Sequence, residues 1–311
     1  MDNKPVILVT GGAGYIGSQL IRDLVLDPRF NGAIVRIYDS LRHKNFNALM
    51  DLPVAGRYEF VEGDILDRLN LQRAMQDVTA VIHLAAIVTT PLSFDHPEWT
   101  EQINHWGTAA VVDCMLRAGI TRMLYTSSAS VYGPGGPFKE TDPCHPVGPY
   151  ATAKRKAEDE VRQAEERGLQ ATIVRLGTTF GSAPAMRFDA AVNRFAYLTG
   201  VRRPMVIHGS GGQVCPFIHI RDASRVLRMA LADPAFIGAT VNAATEHLSL
   251  NDIAAAVQHL APEATTRYTD QDILAEISFD VDVSKLTGMG FTPQVSLEEG
   301  LREVLERWKG F

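Results

Sequence analysis

Three residues carry the densest chemistry in this chain: Ser128, Tyr150 and Lys154. Tyr150 and Lys154 are spaced so that a helix puts them on one face. A free tyrosine loses its proton near pH 10, too high for a base at neutral pH. A lysine ammonium one turn away favours the phenolate. That phenolate could take the proton of a substrate alcohol, while Ser128 shares the hydrogen bond and holds the oxygen. The hydride on the same carbon then needs an acceptor, which has to come from elsewhere in the sequence.

The start of the chain supplies it. Val6 to Thr10 is a short aliphatic run, followed by Gly11, Gly12, Gly14 and Gly17. The pattern predicts a buried strand, a tight turn, and a helix from Tyr15 to Leu26. Glycine allows positive φ and lets a pyrophosphate approach the main chain. The helix start at Tyr15, Ile16 and Gly17 offers unpaired N–H groups and a positive dipole end. A second strand, Ala33 to Tyr38, stops at Asp39 and Ser40. Asp39 lies 22 residues beyond Gly17, where an acid accepts hydrogen bonds from an adenosine ribose; a helix cap is its plainer alternative. A 2′-phosphate would be repelled there, so NAD is expected over NADP, although Arg42, His43 and Lys44 could still tolerate a phosphate. Asp64 and Ile65 end the third strand, near where an adenine would lie. Leu84, Ala85 and Ala86 end the fourth, small enough for a flat cofactor to cross. Thr126 begins a hydroxyl-rich stretch at the end of the fifth. His83 reads as a core histidine.

The elements that must hold these residues alternate strand with helix. A long helix is expected from Glu98 to Ala118, another from Pro149 to Arg167, and a sixth strand over Ala171 to Arg175. Residues 91–97 and 133–149 read as loops. No hairpin signal interrupts the alternation, so the fold class is α/β, a Rossmann-type doubly wound parallel sheet. Residues 1–176 would form this NAD-binding domain. Residues 177–311, less regular, would form a small mixed C-terminal substrate lobe, with 220–245 returning to the sheet. A helix is expected over Phe188 to Leu198.

Composition narrows the class. The chain has 311 residues, 46% hydrophobic and 21% charged, with a net charge of −6. An acidic balance argues against a nucleic-acid partner. Cys114, Cys144 and Cys215 show no metal-ligand spacing, so no metal is expected and they read as reduced structural thiols. A strand beginning at residue 6 leaves no room for a signal peptide, and no apolar run approaches the ~20 residues that cross a bilayer. The expectation is a cytoplasmic protein without a membrane partner.

Together these motifs resemble the extended short-chain dehydrogenases, in particular the NAD-dependent nucleotide-sugar epimerase/dehydratase family. They are Thr10 to Gly17, Asp39, Gly63-Asp64-Ile65, His83 to Ala86, Asn104 with Gly107 and Thr108, Ser127 to Gly133, and Tyr150 to Lys154. The resemblance spans nearly the whole chain. It implies bound NAD, with Asn104 among the cofactor contacts, and a nucleoside-diphosphate sugar in the C-terminal lobe. It implies that Thr89, Ser128, Arg187 and Asn193 meet that substrate, the last two within the stretch Met186 to Asn193. It also implies homodimers paired through the helices carrying Asn104 and Tyr150.

Within the family the sequence points to one reaction by what it lacks. The 4,6-dehydratases usually carry an Asp-Glu pair where Ala129 and Ser130 stand here, and the 3,5-epimerising reductases carry a Cys at Ala129. With no second acid–base pair, oxidation at C4 and return of the hydride to the other face is the simplest cycle. That is 4-epimerisation, of the UDP-glucose 4-epimerase kind. Three positions depart from such enzymes. Val88 stands where a lysine is usual. Cys215 stands where an arginine binds the diphosphate. Arg175-Leu176-Gly177-Thr178-Thr179-Phe180-Gly181 replaces Arg-x-x-Asn-x-x-Gly. Alternatives are a dehydratase using Cys144, Thr89 or Thr90, an NAD-dependent dehydrogenase of a smaller alcohol, and, least favoured given an intact Ser-Tyr-Lys set, a non-catalytic NAD sensor.

Overall fold

The computed structural model describes residues 4–88, 90–270 and 277–308. The chain begins β1 (Val6–Thr10), α1 (Tyr15–Leu26), β2 (Ile34–Asp39), β3 (Arg57–Glu62), α2 (Arg68–Ala74), β4 (Val78–His83). Short helices α3 (Thr90–Asp95) and α4 (Pro97–Glu101) follow, and a π-helical turn joins α4 to α5 (Gly107–Ala118). Then come β5 (Arg122–Ser128), β6 (Gly135–Phe138), α6 (Pro149–Glu165), β7 (Gln170–Leu176), β8 (Thr178–Phe180) and α7 (Ala191–Gly200). The remainder is β9 (Met205–His208), β10 (Val214–His219), α8 (Ile220–Ala232), β11 (Thr240–Ala243), β12 (Glu246–Ser249), α9 (Leu250–Leu260), β13 (Thr266–Thr269), β14 (Phe279–Val281), α10 (Ser284–Gly288) and α11 (Leu297–Glu306).

Seven strands form one parallel sheet in the order β11-β7-β5-β4-β1-β2-β3. The chain winds outward from β1 through β2 and β3, then from β4 through β5 and β7 to β11. The reversal falls between β1 and β4, and beyond their C-terminal ends opens the crevice where such sheets bind ligands. Parallel strands are buried on both faces, which is why β1 reads as an unbroken apolar run; all five of its residues are buried. Helices α2, α5 and α6 cover one face, α1 and α8 the other, and a third core joins α7, α9 and α11 to β9 and β10.

Three stretches differ from the sequence expectation. Residues 90–95 are helical rather than loop; Pro91 lies in the first turn, where a missing N–H costs nothing. Within the expected loop 133–149, β6 pairs in parallel with β14, a long-range pairing with no local signal. Helix α7 begins at Ala191, not Phe188, because Arg187 and Asp189 are locked in an ion pair ahead of it.

Candidate active site

The C-terminal ends of the sheet strands open into a cavity of about 680 Å³. Gly11, Gly14, Tyr15, Ile16, Gly17, Asp39, Ser40, Asp64, Ile65, Leu84, Ala85, Ala86, Thr126, Ser128, Tyr150, Lys154 and Arg187 all line it. Thr89 lies outside the described residues.

The glycine turn is built for close approach. Gly11 has φ +71°, and a Cβ there would stand 2.6 Å from the amide nitrogen of Ala85. A Cβ on Gly17 would stand 2.3 Å from the Gly11 carbonyl. Helix α1 starts at Tyr15, with Gly14 at its N-cap giving no side-chain cap, and has no acid in its first turn. Its opening amides therefore face the cavity end with their dipole uncompensated, which suits a pyrophosphate. Asp39 ties this turn down, Oδ2 accepting from Ala13 N at 3.0 Å and Oδ1 from Leu41 N at 2.9 Å. Burial raises its pKa and the two backbone bonds lower it, leaving a net rise. Ile65 is buried against the helix because position 107 is glycine: a Cβ there would sit 2.4 Å from Ile65 Cδ1. A bare glycine cradle, an uncapped helix start and a carboxylate at the end of β2 fit a dinucleotide.

His83 has no ligand-like surroundings. It is 1% exposed, with Nδ1 2.6 Å from Thr10 Oγ1 and Nε2 3.0 Å from Thr108 Oγ1. Burial pushes its pKa down to about 3, so it is a neutral core residue linking β1, β4 and α5.

Strand β5 and helix α6 carry Ser128, Tyr150 and Lys154 to the cavity. Pro149 opens α6, and Lys154 then points back at β5. Its Nζ donates to the Thr126 carbonyl at 2.8 Å and lies 5.0 Å from the centre of the Tyr125 ring. Thr126 in turn donates its hydroxyl to the His83 carbonyl at 2.8 Å. Burial lowers the Lys154 pKa to about 7, with Glu158 pulling the other way. Tyr150 is raised by burial, opposed by the Arg187 cation and by a hydrogen bond from Ser128. Ser128 Oγ also lies 2.9 Å from Ser130 Oγ. The structure therefore brings Ser128, Tyr150, Lys154 and Arg187 together. Arg187 is braced by Asp189, with Nε and Nη2 each 2.9 Å from a carboxylate oxygen, and Nη2 reaches the Val88 carbonyl at 3.3 Å.

Two expected contact residues do not line the cavity. Asn104 is fully buried, accepting from Ile87 N at 2.7 Å and donating to Ile87 O at 2.8 Å. It shapes the wall by pinning Ile87. Asn193 is also fully buried. Its Oδ1 accepts from Gly181 N at 2.9 Å, and its Nδ2 donates to Arg187 O at 2.9 Å and Tyr15 Oη at 3.1 Å. A buried amide must satisfy its bonds within the protein, and both do.

Other wall residues come from distant segments. Arg42 stacks on Trp99, its guanidinium carbon 4.3 Å from the ring centre, and both line the cavity with Phe94, Thr178, Phe188 and Cys215. Only a tertiary fold brings these segments together. Cys215 presents a half-buried thiol, its pKa pushed up to about 11 by desolvation, with Sγ 3.6 Å from the Ile277 carbonyl.

The sequence model of the NAD dependent epimerase/dehydratase family matches residues 7–244. A putative UDP-glucose 4-epimerase of Methanocaldococcus jannaschii is 28% identical, with 98% of each chain covered. A dTDP-D-glucose 4,6-dehydratase of Mus musculus is also 28% identical over 97% of this chain and 88% of its own. Among solved structures, the UDP-glucuronic acid 4-epimerase of Bacillus cereus, in complex with UDP-glucuronic acid and NAD, superposes with a TM-score of 0.87 at 26% identity, covering 97% of this chain and 98% of that one.

Proposed function

The chain belongs to the NAD-dependent epimerase/dehydratase family, and on that premise we propose that it epimerises C4 of a nucleotide sugar bearing a carboxylate. The observation that carries this reading is Arg187. Its guanidinium lines the same cavity as Tyr150, Ser128 and Thr178, and its charge opposes the rise that burial gives the Tyr150 pKa. A guanidinium matches a carboxylate with paired hydrogen bonds. The UDP-glucuronic acid bound by the Bacillus cereus enzyme has a carboxylate of this kind.

Bound NAD supplies a reversible hydride acceptor; the glycine turn, the start of α1 and Asp39 would hold it. Tyr150 takes the proton from the substrate hydroxyl. Ser128 donates a hydrogen bond to that oxygen and keeps it in line. Lys154, held by Thr126, stabilises the phenolate by its charge. The acids lining the cavity do not offer a second proton relay for elimination. Asp39 is committed to backbone amides, Asp64 accepts from Leu66 N at 2.9 Å, and Asp189 is paired with Arg187. Ala129 is fully buried and Ser130 is bonded to Ser128. This supports epimerisation over dehydration. In this reading two copies pair through α5 and α6, beside the exposed Trp106.

Cys215 favours a second reading, an NAD-dependent dehydrogenase of a free sugar acid, because no guanidinium stands there for a diphosphate. One experiment separates them. The purified protein is incubated with UDP-glucuronic acid, UDP-glucose, dTDP-glucose and free glucuronic acid, and the products are resolved by chromatography and mass. Epimerisation of UDP-glucuronic acid at constant mass, with Arg187→Met weakening its KM at least tenfold relative to UDP-glucose, supports the first reading. Loss of water, or net reduction of added NAD by the free acid, overturns it.

A further inference from the structure

One wall of the main cavity is closed by a contact between two segments far apart in sequence. Arg42 lies in the loop after β2, and Trp99 in α4, which follows β4. The guanidinium carbon stands 4.3 Å from the centre of the indole ring. Both residues line the cavity together with Asp39, Asp64 and Ile65. The sheet order β4-β1-β2 sets the glycine turn after β1 between the two segments. The stack therefore joins the two sides of the crevice at the end where Asp39 stands.

Both partners are held in place. Leu41, next to Arg42, is buried with Ala13 of the glycine turn, Ala48 and Ala185. Its N–H is bound by Asp39, and its carbonyl accepts from Lys44 N at 2.7 Å. Leu41 and Lys44 take φ of +47° and +53°, a left-handed conformation that such residues adopt only where the surroundings enforce it. The turn between them carries Arg42. Trp99 is half-buried against the core under α2, α5 and α6. The arginine itself is exposed, so the core does not require its side chain to lie on the indole.

We propose that Arg42 and Trp99 form a clasp over the adenosine half of bound NAD and set the rate at which the cofactor leaves. A guanidinium plane and an indole face are both flat surfaces against which a purine stacks. Their mutual contact has to part before a ligand lying beneath it escapes. The clasp rests on the cofactor and not on the sugar chemistry proposed above.

The test is release of tritiated NAD from the loaded protein, chased with excess unlabelled NAD and followed by rapid filtration. Arg42→Gln and Trp99→Leu should each speed release roughly three- to tenfold, the reach of one partly exposed cation–π contact. The double variant should be no faster than the faster single one, because both remove the same contact. Trp99→Phe keeps an aromatic face and should release NAD within about twofold of the unaltered protein. Thermal melting checks that each variant folds, and Arg42→Gln, at an exposed position, carries the test if Trp99→Leu does not fold. Unchanged release in Arg42→Gln overturns the proposal. So does a double variant whose effect is the product of the two singles, which would make them separate contacts. Slower release or tighter NAD binding in Arg42→Gln also overturns it, since the stack would then obstruct the cofactor site instead of closing it.

Discussion

Lys154→Met should stabilise the NAD-free protein at pH 6 while abolishing turnover. Lys154 is 4% exposed, and burial lowers its pKa from 10.5 to about 7. Between those values the unfolded chain holds a proton that the native chain has released, so the lysine's cost to folding is largest below pH 7. It fades as pH rises toward 10.5. At about 1.4 kcal/mol per unit, a shift of this size is worth roughly 4–5 kcal/mol. The bond from Nζ to the Thr126 carbonyl, 2.8 Å, is lost in the variant and offsets roughly 1.5–3 kcal/mol. The net gain near pH 6 is thus about 2–3 kcal/mol, a rise of roughly 5 °C in melting temperature for a chain of this size. Calorimetry of both proteins from pH 6 to pH 10 checks it. The advantage should shrink by about 1.4 kcal/mol per pH unit above pH 7 and reverse near pH 9. A variant less stable at pH 6, or a difference that does not vary with pH, would refute the reasoning.

Three further outcomes follow from the site. Tyr150→Phe should lower kcat by roughly 10²–10⁴ while the NAD content, measured after acid release, stays unchanged; full turnover would remove Tyr150 as the base. Gly11→Ala must place a Cβ 2.6 Å from Ala85 N at φ +71°, so NAD affinity should fall at least tenfold in a fluorescence titration. Glu158→Gln leaves Arg175 buried beside a neutral partner, so urea unfolding should show a loss of about 3–5 kcal/mol.

The parts of the fold visible in the sequence are those fixed by neighbours along the chain. β1, the glycine turn and α1 follow from one continuous pattern, and Tyr150 with Lys154 from one helical turn. Asp39 is readable because a strand end sets its place. Asn104 and Asn193 are expected as ligand contacts through the family resemblance alone, and neither that resemblance nor periodicity says that their partners are the backbone of Ile87 and Gly181. The Arg42–Trp99 stack and the shared cavity of Arg187 and Tyr150 join distant segments, so no local pattern encodes them. The pairing of β6 with β14 is hidden in the same way.

Tyr15 gives the two halves of the molecule a common fastening. Its hydroxyl donates to the Gly181 carbonyl at 2.7 Å and receives the Asn193 amide at 3.1 Å. Nearby, Ser18 Oγ accepts from Ala185 N at 3.1 Å. The C-terminal half is therefore not a cassette that can be exchanged by cutting near residue 177. A graft from a relative with a different sugar preference would need its own equivalents of Gly181, Ala185 and Asn193 in register with α1. Without them the new half would loosen the very turn that grips the cofactor, and altered specificity would arrive together with a leaking cofactor site.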